Sequence, residues 1–440
     1  MKKTNATLVC IALIIIAAFS WIGVLKRGVD NASNYEKYIQ QAEKYEQKGI
    51  FIDALTCYQE AQKIRPKEYD VAVKIAKTYE KLGDTKGFLM ACDEASSLNK
   101  DTSEPYVMKA EYLINTNRYA DAIKAVNGVP KKLEEAEEIQ HIKELLAYQY
   151  NIKYVSFDDI YDWHEAGGKC YAAAKNDGFW GLVDEDGNQK LRFRFDYVGA
   201  YDEETGVVPC CEKGTYYYVD IKGNKKLVGD FDYQFLGSFG CGYAPAQRNN
   251  TYGYINAEFE EFSFDYSYAG AFANKVAAVE KNGKWALINE RFEPITDFMY
   301  DEIFVDAYGY CSVFKTIVAR IGSGFVLLDT EGKRISERTF ESVSLPASED
   351  EPIAVKIGGY WSYVDTTGNV VLDTQFDNAK SFALGLAPVQ KNNKWVYINT
   401  QGKIVSKDEF ADASVFSHLG LASVKGSHTW NIIALCEYEA

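Results

Sequence analysis

The sequence predicts an α + β multidomain protein: an N-terminal transmembrane helix, then an α-helical solenoid, then an all-β repeat array. Three observations predict this order: an uncharged apolar segment near the N terminus, small residues that recur every 34 positions, and aromatic residues that recur every 33 to 40 positions. Fixed periods of this length are typical of stacked repeats. We therefore expect an anchor at 1–30, helical repeats at 34–150 and about eight β units at 154–440.

The apolar segment extends from Leu8 to Leu25 without a charged side chain, and basic residues flank it on both sides. Eighteen helical residues are just long enough to cross the hydrocarbon core of a bilayer. We expect residues 8–25 to hold the protein in the cell membrane as a single-pass anchor, with the repeats on the extracytoplasmic side. A cleaved signal peptide, with a weak cleavage site at residues 18–20, is the alternative.

The net charge argues against one class of partner, and the cysteine pattern argues against a disulfide framework or a zinc site. The formal net charge of −15 argues against a nucleic-acid partner, because phosphate binding needs clustered Lys and Arg. The nine cysteines are odd in number and contain no Cys-x-x-Cys pair, so we interpret them as small buried hydrophobic residues. We expect no metal and no cofactor, and the sequence leaves the oligomeric state open.

The helical region repeats small residues at fixed slots of a 34-residue period. Ala42, Ala76 and Ala110 share one slot, where a small side chain lets two helices approach closely. Gly49, Gly83 and Asn117 share another slot, which suits the left-handed conformation that ends a helix. The pattern resembles the tetratricopeptide repeat, in three copies over about 100 residues. A charged helix over 131–150 is expected to cap the stack.

The resemblance implies a concave groove that binds protein or peptide partners. Tetratricopeptide domains that clamp a C-terminal carboxylate place Lys and Asn at set positions, whereas Ile39 and Glu43 occupy the first two of them in this chain. That function is therefore not carried over. The predicted groove residues form either a solvated face or a peptide-binding surface, and they are Glu43, Gln47, Lys74, Lys77, Lys81, Glu111 and Asn115.

The second period is marked by one aromatic anchor in each unit. Apolar residues that alternate around Asn-Gly-like turns predict a hairpin beside each anchor. The anchors are Trp180, Tyr216, Tyr252, Trp285, Phe325, Trp361, Trp395 and Trp430. The pattern resembles the WG (KWG) repeat family, found mostly in bacterial proteins, which implies an all-β interaction module without an established active site. Radial closure would give a propeller and linear stacking an open β-solenoid.

No catalytic motif is recognisable in the chain. An acidic stretch around His164, which contains Asp158, Asp159, Asp162 and Glu165, is interpreted as a solvated linker between the two arrays rather than a metal site. Residues 184–188 are interpreted as a turn rather than a calcium loop. The predicted function is thus a non-catalytic, membrane-anchored scaffold for protein–protein interactions. The alternative is a cell-envelope carbohydrate-binding protein that stacks sugars on the aromatic anchors, although their recurrence in one slot favours core packing.

Overall fold

The computed structural model describes residues 32–227 and 232–436. The chain forms two compact units, one ending at Ala147 and the other beginning at Tyr148. The first is helical and the second consists of β-strands.

The transmembrane helix in the predicted fold class is wrong. The predicted single-pass membrane location, which depends on that helix, is wrong with it. No described helix is long and apolar enough to cross a membrane. The described helices have 9 to 16 residues and bury only part of their surface, as helices that pack on one side do. Residues 8–25, on which the prediction rested, lie outside the described residues.

The described part of the first unit, residues 32–147, contains seven α-helices. A helix covers residues 32–47 (α1), and the others are α2 (Phe51–Ile64), α3 (Tyr69–Leu82), α4 (Thr85–Leu98), α5 (Glu104–Asn115), α6 (Tyr119–Asn127) and α7 (Glu137–Leu146), with a 3₁₀ turn at Lys131–Leu133 before α7. Successive helices pack on each other, and the repeated alanines of the 34-residue period are fully buried between them. Gly49, Gly83 and Asn117 have positive φ, as the sequence predicts for the ends of α1, α3 and α5.

The end of the helical unit differs from the prediction. The single helix expected over 131–150 is divided into the 3₁₀ turn and α7, because Ala136 adopts an extended conformation between them. The first strand begins at Tyr150, four residues before the predicted start of the β array.

The second unit contains thirty strands over the residues that the structure describes, 148–227 and 232–436. They are β1 (Tyr150–Phe157), β2 (Asp159–Ile160), β3 (His164–Ala166), β4 (Lys169–Asn176), β5 (Phe179–Asp184), β6 (Gln189–Phe195), β7 (Tyr197–Val198), β8 (Val207–Glu212), β9 (Thr215–Asp220), β10 (Lys225–Lys226), β11 (Phe235–Leu236), β12 (Ala244–Arg248), β13 (Thr251–Ile255), β14 (Glu261–Tyr266), β15 (Tyr268–Ala269), β16 (Val276–Lys281), β17 (Lys284–Asn289), β18 (Glu302–Ile303), β19 (Ile317–Ile321), β20 (Gly324–Leu328), β21 (Ser342–Val343), β22 (Ile353–Ile357), β23 (Tyr360–Val364), β24 (Val370–Phe376), β25 (Asn378–Ala379), β26 (Leu386–Lys391), β27 (Lys394–Asn399), β28 (Asp412–Ala413), β29 (Leu421–Lys425) and β30 (Trp430–Leu435).

These strands form the eight blades of a propeller, all of them antiparallel sheets. Blade 1 joins β1 to β28–β30, blade 2 contains β2–β6, blade 3 β7–β10, blade 4 β11–β14, blade 5 β15–β17, blade 6 β18–β20, blade 7 β21–β24 and blade 8 β25–β27. The first and last strands pair directly, with Tyr150 opposite Leu435 and Ile152 opposite Ile433. This pairing closes the ring, so the propeller prediction is confirmed and the open solenoid is wrong.

In blades 2 to 8, the turn that follows the strand with the anchor residue is stabilised by one Asp or Asn side chain. In blade 2, Asp184 accepts hydrogen bonds from the backbone N–H groups of Asp186 and Asn188, at 3.1 and 2.8 Å. The segment 184–188 is therefore a turn, because its carboxylate is occupied by the backbone. The same pair of bonds recurs at Asp220, Asn256, Asn289, Asp329, Asp365 and Asn399.

Neighbouring blades are joined by buried tyrosines that lie two residues after an anchor. The hydroxyl of Tyr254 donates to the carbonyl oxygen of Gly270 in the next blade, at 2.9 Å, and the ring is fully buried. Three other blades repeat this contact, from Tyr218 to Gly237, from Tyr363 to Lys380 and from Tyr397 to Ser414.

Candidate functional site

The predicted helical groove contains a recess of about 470 Å³. Residues of α1, α3 and the start of α5 line it together with Arg65, and its apolar part includes Tyr35, Ile39 and Val73. The guanidinium group of Arg65 lies 3.8 Å above the ring of Tyr35, a cation–π contact that fixes this wall.

Ion pairs line the rim of the recess. Lys74 Nζ lies 2.6 Å from the Glu43 carboxylate, and Lys77 Nζ lies 2.9 Å from that of Glu104. Tyr69 also donates its hydroxyl to Glu104, at 2.8 Å. The hydrogen bond from Lys77 holds the pKa of Glu104 below its usual range, and burial raises the pKa of Tyr69 to about 12.

The structure brings together three of the seven predicted groove residues. Lys74 and Lys77 line the recess, and Glu43 contacts it through its ion pair with Lys74. The other four are exposed and lie outside the lining of the recess: Gln47, Lys81, Glu111 and Asn115.

The aromatic anchors pack within and between the blades. Trp361, Trp395 and Trp430 are buried, and the other five anchors are partly buried. Several anchors face an aromatic residue of the adjacent strand or segment, such as Phe376 opposite Trp361 and Phe195 opposite Trp180. Ring contacts also connect blades, as in the 5.8 Å contact of Tyr252 in blade 4 with Tyr268 in blade 5, and in the row Tyr197, Tyr216, Phe235 and Tyr252. This placement favours core packing over a sugar-stacking surface.

A second recess of about 470 Å³, which we call the central cavity, lies inside the propeller. It is lined by the segments that follow the first short strand of blades 1, 2, 6, 7 and 8. These segments contribute Asp162–Glu165, Asp306–Thr316, Ser344–Glu349, Lys380 and Val415–His418.

One of these segments, residues 304–316 between β18 and β19, crosses the ring and is called the central loop. The backbone N–H of Ala173 in blade 2 donates to the hydroxyl oxygen of Tyr308, at 3.1 Å. Tyr310 donates its hydroxyl to the carbonyl oxygen of Phe239, at 2.6 Å, and the N–H of Ala271 donates to Gly309, at 2.8 Å. Blade 2 lies opposite blade 6 in an eight-bladed ring, so the loop fills part of its centre.

Ionisable groups in the central cavity have strongly shifted pKa values. Burial raises the pKa of Asp306 to about 7, even though the N–H groups of Tyr308 and Tyr310 both donate to its Oδ1. Burial also raises the pKa of Asp162, while the nearby Lys380 opposes the shift. Burial lowers the pKa of His164 to about 4, so this ring is neutral at pH 7.

The acidic stretch interpreted as a linker is in fact part of this cavity. Asp162, His164 and Glu165 lie on its wall, and His164 stacks on Tyr310 with ring centroids 5.6 Å apart. A signal for the cavity existed in the sequence: the anchors Trp285 and Phe325 are 40 residues apart, the longest spacing in the series, and the central loop occupies the extra length. Across 32–227 and 232–436, no group of three or more His, Cys, Asp or Glu is arranged to hold a metal ion.

Comparison with known proteins bears out the WG part of the prediction. Residues 180–208, 252–285, 361–395 and 397–425 match the family described as WG containing repeat. A search of curated protein sequences finds no significant match. The helical segment is not established as a tetratricopeptide array by these comparisons.

Solved structures give only weak likenesses. A eukaryotic initiation factor aligns with 60% of this chain and 83% of its own, at 13% identity and a TM-score of 0.40. Kluyveromyces lactis Hsv2 aligns with 62% and 96%, at 10% identity and 0.31. The TPR2B domain of yeast Sti1, solved as a complex with pHsp70, aligns with 26% and 92%, at 20% identity and 0.23. At TM-scores below 0.5, none of these likenesses carries an argument about function.

Proposed function

We propose that this chain, a WG-repeat propeller preceded by a helical unit, is a non-catalytic scaffold for protein–protein interactions. In this proposal the helical groove holds an extended peptide segment of a partner protein. One observation carries it: the recess between α1, α3 and α5 combines an apolar floor with a charged rim.

The floor suits an apolar side chain of the peptide. Tyr35 and Val73 are buried beneath the recess and Ile39 is partly buried at its edge. An apolar side chain placed on them removes further surface from water, which stabilises the complex by about 25 cal/mol for each Å² buried. The spacing that resembles tetratricopeptide repeats also supports a peptide-binding groove.

The rim suits acidic groups on either side of that apolar residue. The ion pairs of Lys74 with Glu43 and of Lys77 with Glu104 are substantially exposed, and such pairs contribute little to stability. A carboxylate of the peptide can therefore compete for either ammonium group. We infer a peptide with an apolar residue next to Asp or Glu.

Selection of binding peptides from a random displayed library against the purified protein tests this proposal. The dissociation constants of selected peptides are then measured by fluorescence anisotropy. We expect Lys77→Glu to weaken binding at least tenfold, because it replaces an attractive charge on the rim with a repulsive one. Ile39→Asp, which places a charge beside the floor, is expected to have a similar effect.

Lys81→Glu is the matched control, since it makes the same charge change on α3 at an exposed position outside the recess. Circular dichroism checks that all variants fold. Peptides that bind Lys77→Glu and Lys81→Glu equally well, or a library that yields no binding peptide, would refute the groove.

A further inference from the structure

We propose that the central cavity binds a primary ammonium group, carried either by a free aliphatic amine or by a lysine side chain of a partner protein. This site lies wholly within the propeller and does not depend on the helical groove. The charge, the aromatic walls and the size of the cavity favour such a ligand.

The first step concerns the charge of the cavity. Four carboxylates line it, and two of them already have partners in the wall: Glu349 pairs with Lys315 at 2.7 Å, and Glu165 accepts the N–H of His418 at 2.7 Å. The remaining two are Asp162 and Asp306. They are the groups that an incoming cation would meet.

Lys380, the lysine of the wall, attracts Asp162 but also has partners outside this pair of carboxylates. Lys380 Nζ lies 3.5 Å from the carboxylate of Asp412 and 5.2 Å from the ring centroid of Trp395, so its charge is shared with both. His164 carries no charge at pH 7. Two carboxylates thus face the one ammonium group of Lys380, and the cavity has an excess of negative charge when both are ionised, which for Asp306 is above a pKa of about 7.

The second step concerns the walls. Side chains of Trp163, Tyr308, Phe314 and Phe416 line the same space, and aromatic faces attract ammonium groups within about 6 Å of the ring centroid. The backbone N–H groups of Tyr308 and Tyr310 both donate to Oδ1 of Asp306. Asp162 is close enough for its charge to raise the pKa of Asp306, and an ammonium group offers three N–H donors to this pair.

The third step concerns size and long-range attraction. A volume of about 470 Å³ is that of a small-molecule site and exceeds the volume of a lysine side chain. Residues 148–440 contain 42 Asp and Glu against 27 Lys and Arg, so the propeller as a whole attracts cations and repels anions. The volume admits an aliphatic amine, and the charge balance favours it over an acidic or phosphorylated ligand.

Isothermal titration calorimetry on the full-length protein tests the site with three probes. Butylamine and N-acetyl-lysine methylamide carry the ammonium group, and N-acetyl-norleucine methylamide is the neutral match of the second. We expect both amines to bind and the norleucine compound not to bind. Asp162→Asn and Asp306→Asn are each expected to weaken amine binding at least tenfold.

Two variants serve as controls. Asp177→Asn removes one negative charge at an exposed turn where the backbone φ is +49°, a conformation that Asn tolerates well, so amine binding should be unchanged. Lys77→Glu in the helical groove should also leave amine binding unchanged. This second control shows whether amine binding in the central cavity is independent of peptide binding in the helical groove.

The pH dependence supplies an independent readout. The titratable groups that interact with Asp306 are Asp162, Tyr268, Tyr308, Tyr310 and Cys311, and His164 and Lys380 line the same cavity. Because an ammonium ligand favours the ionised carboxylate, and the pKa of Asp306 is about 7, affinity should rise about tenfold from pH 6 to pH 8. Asp306→Asn should abolish this rise.

The source of the amine follows from a fourth probe, a capped pentapeptide with one lysine between alanines. Tighter binding of the peptide than of butylamine would identify a partner's lysine, and equal binding would identify a free amine. The proposal is overturned if the norleucine compound binds as well as the lysine compound. It is also overturned if folded Asp162→Asn and Asp306→Asn bind amines like the unmodified protein.

Discussion

The hydroxyl groups of four buried tyrosines connect neighbouring blades at the scale of single atoms. Tyr218, Tyr254, Tyr363 and Tyr397 each reach a carbonyl oxygen of the following blade. Three of these hydrogen bonds, from Tyr218, Tyr254 and Tyr397, are buried, and a buried carbonyl oxygen needs such a donor because water cannot reach it. The tyrosine slot recurs two residues after the anchor, and its recurrence in the sequence was a readable sign of these contacts.

Tyr254→Phe is expected to destabilise the protein by about 1–2 kcal/mol, because it leaves the Gly270 carbonyl without its donor while it preserves the ring. The midpoint of urea unfolding measures the change. Tyr360→Phe is the matched control, since Tyr360 is 52% exposed and its substitution should leave the midpoint unchanged. Equal midpoints for the two variants would show that the inter-blade bond contributes nothing.

At the scale of elements, the central loop and β3 bring two groups with opposite proton linkage into one cavity. The pKa of His164 falls from an ordinary 6.5 to about 4, so between these values the unfolded chain binds more protons and stability rises with pH. The pKa of Asp306 rises from an ordinary 3.8 to about 7, so the native protein binds more protons and stability falls with pH. The two effects oppose each other between about pH 4 and 6.5.

Single substitutions should reveal each slope. In Asp306→Asn the stability should increase with pH relative to the unmodified protein, and in His164→Gln it should decrease, by at most about 1.4 kcal/mol for each pH unit. Urea unfolding at pH 4.5, 5.5 and 6.5 measures both, and groups that titrate in all three proteins cancel in the differences. Parallel curves for the three proteins would contradict these linkages.

Local elements were predictable from the sequence, and the cavity was not. Turns held by residues such as Asp184 depend on side chains two to four positions away, and the anchors repeat at a regular interval, so both can be recognised in one repeat unit. Asp162 and Asp306 are in different blades, and only closure of the ring places them on one wall. The acidic stretch approaches the other residues of the cavity only after folding, so the local sequence alone predicts a solvent-exposed segment.

The extent of the helical groove was likewise only partly predictable from the sequence. Lys74 and Lys77 are one helical turn apart on α3, and helical spacing predicts that both face the same side. Lys81 continues the spacing, but the recess does not extend to it. The length of a concave surface depends on how neighbouring helices pack, which local spacing does not specify.

At the scale of the whole molecule, the pairing of β1 with β30 holds the ring shut. Ile152 packs into the core cluster that also contains Ile433 and Leu435, at the junction of the two ends of the propeller. Every other blade is built from consecutive strands. In the described ring, blade 1 is thus the only blade that joins the two ends of the propeller. Loss of β1 from this blade would separate these ends.

Ile152→Asp is expected to lower the free energy of unfolding by about 1–3 kcal/mol, because it places a charge at a partly buried position that packs on this core cluster. Hydrogen exchange should show β1 and β30 losing protection together. Tyr154→Asp is the control on the same strand, since Tyr154 is 79% exposed. Unchanged protection of β30 in Ile152→Asp would show that the ring stays closed without this contact.

The closing strand also has a consequence for synthesis of the protein. Among the propeller strands, β1 leaves the ribosome first, and its partner β30 follows more than 270 residues later. At ordinary translation rates the nascent chain therefore carries β1 without its partner for roughly 14 to 55 s. An unpaired edge strand is a template for association with other chains. The interval before the last strand emerges is thus when a newly made propeller depends most on chaperones.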